Sequence, residues 1–239
     1  MFAGVRLAFS WLTVLPVGVG RVDRALAGAA ISAAPVVGFV LGAAAAGLLL
    51  LLDLLGIGGL LAGFLVVGFL ALVTRGMHLD GLADTADGLG SYKDADRALA
   101  IMRDGPVGPF GVVALVLVLG TQAAAIDGWF SLVLAVTTGR VAFVLCCRHG
   151  TKAARSEGLG ALVAGSQPLA TPILWLVALL LISPLADLGH PYRGPVAIVV
   201  ATGLVLLLSQ HTGRRLGGIT GDVLGAACEI ATTAVLVIS

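Results

Sequence analysis

ALAGAAISAAPVVGFVLGAAAAGLLLLL, residues 25–52, carries no charged side chain, and its reading decides the class of fold. The run exceeds the ~20 apolar residues that a helical membrane crossing needs. Its surroundings agree: the 239-residue chain is 59% hydrophobic and 11% charged, with a mean hydropathy of +1.08. A soluble domain carries about 25% charged residues. The chain therefore reads as an all-α, polytopic integral membrane helical bundle. Helices are expected because each apolar run is near the length of one helical span. Pro35 is expected to bend the first span.

Working outward, the N-terminus imitates a signal peptide, with Arg6, an apolar segment and then Ala25-Leu26-Ala27. Arg21, Asp23 and Arg24 interrupt that pattern, so an uncleaved, amphipathic N-terminal helix is expected instead. Beyond Asp53–Gly59, a glycine-rich turn, six more apolar runs follow: 60–73, 112–126, 129–147, 169–185, 196–209 and 222–238. The second is short, and its helix is expected to start near Ile57 and continue into the acidic segment after it. Residues 92–103 read as a surface helix ended by Gly105-Pro106-Val107-Gly108-Pro109. Residues 149–167 read as a polar connection, and 210–221 as a basic, glycine-rich loop. No repeat or linker divides the chain, so residues 1–239 form one domain.

Basic residues set the orientation. With seven spans and the N-terminus inside, twelve of the fourteen Lys and Arg residues fall on the cytoplasmic side. Arg193 alone falls outside, and Arg140 lies within a span. The net charge of +1 implies no general affinity for nucleic acid. Cys146, Cys147 and Cys228 have no metal-site spacing and read as reduced, apolar-like residues.

The segment Gly76-Met77-His78-Leu79-Asp80-Gly81-Leu82-Ala83-Asp84-Thr85-Ala86-Asp87-Gly88 places three carboxylates within eight residues. On a helix, Asp80, Asp84 and Asp87 form one stripe at i, i+4 and i+7. Two carboxylates ~4 Å apart repel by roughly 4 kcal/mol at an effective dielectric near 20. Such a stripe needs a divalent cation or open water, and aspartate oxygens suit Mg²⁺ better than Zn²⁺. A solvated helix face is the simpler alternative. His78 falls off the carboxylate face, where it could be a ligand, a general base or a helix-entry residue.

Gly217-Gly218-Ile219-Thr220-Gly221-Asp222 precedes the last span. Thr220 is a candidate N-cap, and a helix start behind glycines can hold an anion. Gly217, Gly218 and Thr220 are thus phosphate-binding candidates, and Asp222 a fourth carboxylate. The alternative is a tight turn. Glu229, two turns deeper, is a costly buried acid with Thr232 as a candidate partner. Arg140 is expected to face the bundle interior, within reach of a phosphate, or else paired to an interior acid. His149, His190 and His211 read as solvated loop residues. Carboxylates, arginines and a glycine-rich helix start at one membrane face fit phosphoryl transfer.

These residues resemble a known family. His78-Leu79-Asp80-Gly81-Leu82-Ala83-Asp84-Thr85-Ala86-Asp87-Gly88 is similar to the signature of the cobalamin synthases, the adenosylcobinamide-GDP ribazoletransferases. The resemblance continues through Ile101-Met102-Arg103-Asp104, Gly108, Gly111, Arg140, Arg155 with Glu157-Gly158-Leu159-Gly160, and Gly217–Asp222 with Glu229. It departs at Gly105-Pro106, where the family carries a small polar residue and then a basic one. The resemblance implies a Mg²⁺-dependent enzyme of the bacterial cytoplasmic (inner) membrane, with its active site on the cytoplasmic face. It would join adenosylcobinamide-GDP to α-ribazole, or to its 5′-phosphate, and release GMP. Asp84, Asp80 and His78 would be catalytic. Arg140, Arg155 and Arg103 would bind phosphate, and Asp80, Asp84, Asp87, Asp222 and Asp104 would serve the metal. Self-association is left open.

Two other classes compete. A CDP-alcohol phosphotransferase acting on lipid uses a different spacing, because Ala83 is followed here by Asp84. A cation or proton transporter would bind near the midplane, whereas the acids here fall at the cytoplasmic edge.

Overall fold

Membrane helices meet through small residues that let backbones approach closely, and several helix crossings in this protein run through glycines. The computed structural model describes residues 2–18 and 20–239. The chain runs α1 (Phe2–Leu12), α2 (Arg24–Leu54), α3 (Gly59–Val73), α4 (Met77–Gly90), α5 (Ala95–Asp104) and α6 (Pro109–Ala125). It continues with α7 (Trp129–Cys146), α8 (Gly158–Val163), α9 (Ala170–Ile182) with a 3₁₀ turn at Ser183–Ala186, α10 (Arg193–Leu216) and α11 (Gly221–Ile238). The expected all-α bundle is therefore present.

α7 is the axis of the bundle, and nearly every residue from Ser131 to Cys147 is buried. α2 lies on it through Gly38 and Gly42, whose Cα atoms face the backbone of Val136–Thr137 and of Val133. α11 lies on it through Gly139, against Cys228 and Thr232. Leucines, valines and phenylalanines point outward instead, among them Phe39, Leu51, Leu61, Leu117, Leu174 and Leu207. An outer surface this apolar is the face that lipid covers.

Apolar helices occur at all seven expected places. α2, α7, α10 and α11 are individually long enough to cross a bilayer. α3, α6 and α9 with its 3₁₀ turn are shorter; the 15 residues of α3 span only about 22 Å of a ~30 Å hydrocarbon core. α1 buries Leu7, Ala8 and Leu12, the one-sided pattern expected of it. α2 runs without a break through Pro35. α5 is the expected surface helix, capped by Asp94, whose carboxylate accepts from Arg97 N at 2.9 Å.

The structure corrects the sequence reading at several boundaries. α3 does not continue into the acidic segment: α4 turns away from it by 93°. The cause is a Schellman ending. Gly76 N donates to Ala71 O at 2.8 Å and Arg75 N to Leu72 O at 3.1 Å, and both residues have positive φ, 58° and 65° for Arg75 and Gly76. A left-handed arginine is unfavourable, and its side chain offsets the cost by donating to Ser10 O and Trp11 O at 3.2 and 2.9 Å. α4, 14 residues long and acidic, is no crossing helix. Residues 210–216 are not a loop but the end of α10, so His211 is helical, though exposed. Arg214 and Arg215 sit in its last turn, where cations favour the helix dipole, and Gly217 at φ 82° stops it. Within the 149–167 connection, residues 158–163 form the short helix α8.

A candidate phosphoryl-transfer site where α4 crosses α11

The acidic helix reaches its partners because two glycines remove side chains at one crossing. Gly81 of α4 faces the backbone of Asp222, and Gly225 of α11 faces the backbone of His78. α4 and α11 consequently meet with almost no spacer. Thr220 is the N-cap of α11, as expected: its hydroxyl accepts from Val223 N at 3.2 Å and donates to Asp222 Oδ2 at 3.1 Å. Arg155 comes from the connection before α8. It lies 3.5 Å from Asp222 Oδ2 and donates to Leu99 O of α5 at 2.8 Å, so it ties α5 to α11 at the acids.

Asp80 is exposed, Asp84 half-buried and Asp87 buried. Burial pushes the Asp84 carboxyl up to about 6, helped by the negative charges of Asp80, Asp222 and Asp87; Arg155 offsets part of this. The neighbouring carboxylates add to that shift and mark a cluster short of positive charge, which a divalent cation would supply. The donors are all hard oxygens, as Mg²⁺ prefers. The oxygens of Asp80, Asp84 and Asp222 do not all come within 4.8 Å of one another, so these residues match the implied Mg²⁺ by donor chemistry, with one or two of them and waters as its direct ligands.

Asp87 has a second duty. Its Oδ2 accepts from Gly108 N at 2.7 Å and its Oδ1 from Gly111 N at 2.9 Å, so it caps the N-terminus of α6. The pattern Gly-Pro-x-Gly at a helix start was the signal for this bond. Each carboxylate oxygen retains a further lone pair. Asp104 and Arg103 are exposed, 3.8 Å apart, on a polar cleft shared with Arg155. They stand beside the acid cluster rather than within it.

Gly217 and Gly218 turn elsewhere. Gly218 packs against the backbone of Lys152 and Ala153, and Ile219 exchanges backbone bonds with Lys152 and Ala154 at 2.9 Å each. The close approach that these glycines allow is thus to the chain itself. Both line a basic hollow with Arg148 and Lys152, away from the aspartates.

His78 points inward, off the carboxylate face as expected. It is 3% exposed, with Nδ1 4.0 Å from Glu229 Oε1 and its ring against Phe143, centroids 5.5 Å apart. Burial, aided by the charge of Arg140, lowers its pKa well below the ordinary value, so the imidazole is neutral. Arg140 is buried below it, in a small cavity shared with Glu229, Gln122 and Thr232. That cavity is separate from the one bordered by Asp80 and Asp222. Gln122 Nε2, not Thr232, holds Glu229, donating to Oε2 at 2.8 Å. Gln122 went unremarked in the sequence, although one amide in an uncharged run was a signal. Among the described residues, three metal-type ligand atoms within 4.8 Å of one another occur at His78, Cys228 and Glu229. The Glu229 carboxylate there is held by Gln122 and shares a small pocket with the Arg140 guanidinium, which reads as a buried polar network rather than a metal centre. All three cysteines are free and buried.

A larger cavity of about 560 Å³ lies between α1, α2, α4, α8 and α11, with Asp80 and Asp222 on its border.

Comparison with known proteins agrees with the resemblance. Residues 4–239 match the family described as Cobalamin-5-phosphate synthase. The chain is 39% identical over its full length to the adenosylcobinamide-GDP ribazoletransferase of Frankia casuarinae, covering 94% of that protein. It is 41% identical to the protein of the same name from Nocardioides sp., over 97% of this chain and 95% of the relative. To that of Desulforamulus reducens it is 36% identical, over 99% and 95%. No solved structure matches the chain. With the family's His-x-Asp-Gly-x-x-Asp segment at the α4–α11 crossing and the match running almost end to end, the chain belongs to the cobalamin-5-phosphate synthase family.

Proposed function

We propose that this protein joins adenosylcobinamide-GDP to α-ribazole, or to its 5′-phosphate, and releases GMP. We place it in a bacterial cytoplasmic membrane, with the site on the cytoplasmic face where the basic residues gather. The observation that supports this reading best is the meeting of Asp80 and Asp84 with Asp222 and Arg155 at one helix crossing.

In this reading a ribazole hydroxyl attacks the phosphorus on the cobinamide side of the diphosphate. The new P–O bond forms as the bond to the GMP oxygen breaks, and GMP leaves with that electron pair. The hydroxyl proton passes to a carboxylate. Asp80, Asp84 and Asp222 would hold Mg²⁺, which when bound neutralises diphosphate charge. Arg155 adds a fixed positive charge beside Asp222 and, with its planar fork, suits phosphate oxygens. Arg103 lines the neighbouring polar cleft, on the side open to a nucleotide.

The test is release of GMP by purified protein given adenosylcobinamide-GDP, α-ribazole and Mg²⁺. Asp84→Asn should abolish release while the protein still inserts and purifies. A wild type that releases no GMP, in proteoliposomes whose ion flux depends on Asp84, would point to transport instead.

A further inference from the structure

The cavity bordered by Asp80 and Asp222 is walled by Trp11, Ile31, Phe143 and Leu162, with small residues of α2 on one side. Its polar groups are few: the two carboxylates and the imidazole of His78. A second compartment of about 720 Å³ is lined by Asp96, Arg103, Asp104, Arg155 and Glu157. Gly158 borders both, and Arg155 of the polar compartment lies 3.5 Å from Asp222 of the apolar one.

The two substrates divide in the same way. Guanosine diphosphate is charged, and its base carries donors and acceptors that apolar walls would leave unpaired. The corrin ring with its amide side chains is several times the size of a nucleoside base and exceeds a 560 Å³ cavity. The ribazole base is a flat dimethylated bicycle of hydrocarbon character with one bare ring nitrogen.

We propose that the apolar cavity holds the bicyclic aromatic base of the acceptor nucleoside, with its ribose beside Asp80 and Asp222. This rests on the ribazole-transfer reading above.

Two measurements test it: steady-state constants for each substrate, and equilibrium binding of α-ribazole without donor to the purified protein. Removing both methyl groups from the acceptor base should raise its KM roughly fifteenfold, since each buried methyl contributes about fourfold. Ala34→Phe, which fills the cavity, should raise the acceptor KM by tenfold or more, leave the donor KM unchanged and abolish donor-free binding. Leu162→Ala, which enlarges it, should admit a tricyclic base that the wild type rejects. A donor KM raised by Ala34→Phe would assign the cavity to the donor and overturn the proposal. Donor-free binding unaffected by Ala34→Phe would also overturn it, leaving the cavity to a lipid chain. If α-ribazole binds as described but no GMP is released, the proposal survives and the transfer reading fails.

Discussion

Gly81→Ala is the smallest change that should separate the two halves of the site. A Cβ at Gly81 would lie 2.7 Å from Asp222 O and 2.9 Å from Asp222 Cα, where ordinary contact begins at 3.4 Å. Both atoms are backbone, so α4 and α11 must part by about 0.7 Å, the difference between 3.4 and 2.7 Å. Overpacking of this kind costs about 1–3 kcal/mol, while alanine in a helix recovers up to about 1 kcal/mol relative to glycine. The net loss of stability is thus about 0–2 kcal/mol, a modest fall in melting temperature. Activity should suffer more. A 1 Å misplacement of reacting groups can cost about 100-fold, so GMP release should drop on the order of 10- to 100-fold as Asp80 and Asp84 move off Asp222 and Arg155. Gly225→Ala, whose Cβ would meet His78 Cα and O at 3.1 Å, should show a milder version. Gly47→Ala and Gly203→Ala, facing open space, should leave activity unchanged. Gly81→Ala with wild-type GMP release would refute the close crossing as the device that assembles the site.

Asp87→Ala removes the carboxylate that caps α6 at Gly108 and Gly111; with hydrogen bonds to charge contributing about 1.5–3 kcal/mol each, thermal unfolding in detergent should show a loss of about 3 kcal/mol. Arg140→Gln removes a buried positive charge that shares a pocket with Glu229 but forms no ion pair with it, and should cost about 0.5–3 kcal/mol; a variant that is fully stable but inactive would favour a phosphate-binding Arg140 instead. Protonation of Asp84 competes with a metal, so apparent Mg²⁺ affinity should fall as pH drops through about 6, and Asp84→Asn should flatten that dependence. The same raised carboxyl makes the folded state bind more protons than the unfolded one between the ordinary aspartate range and about 6, so Mg²⁺-free stability should rise, not fall, on acidification through that window. Labelling of single cysteines placed at Asp127 and Arg214 should react from outside and inside respectively; the reverse would invert the orientation.

Residues 25–52 and the six later apolar runs determined, without any structure, that the protein is a helical membrane bundle, because hydrocarbon leaves an uncharged run of that length no better conformation than a helix. The aspartate stripe, Thr220 as a cap and the inward turn of His78 were also legible, since helical periodicity and capping are local. Where the helices end was less so. The arrest of α3 depends on Arg75 accepting a left-handed backbone because α1 offers two carbonyls to its side chain, and α1 is remote in sequence. Tertiary structure alone decided that Asp87 holds α6, that Glu229 pairs with Gln122 on another helix, and that Gly218 meets its own chain rather than a ligand. It also separated Arg140, in the interior, from Arg155, at the acids. Gly81 and Asp222, and His78 and Gly225, become neighbours only because two glycines let α4 and α11 touch, and a contact between surfaces so far apart along the chain leaves no periodic mark in either.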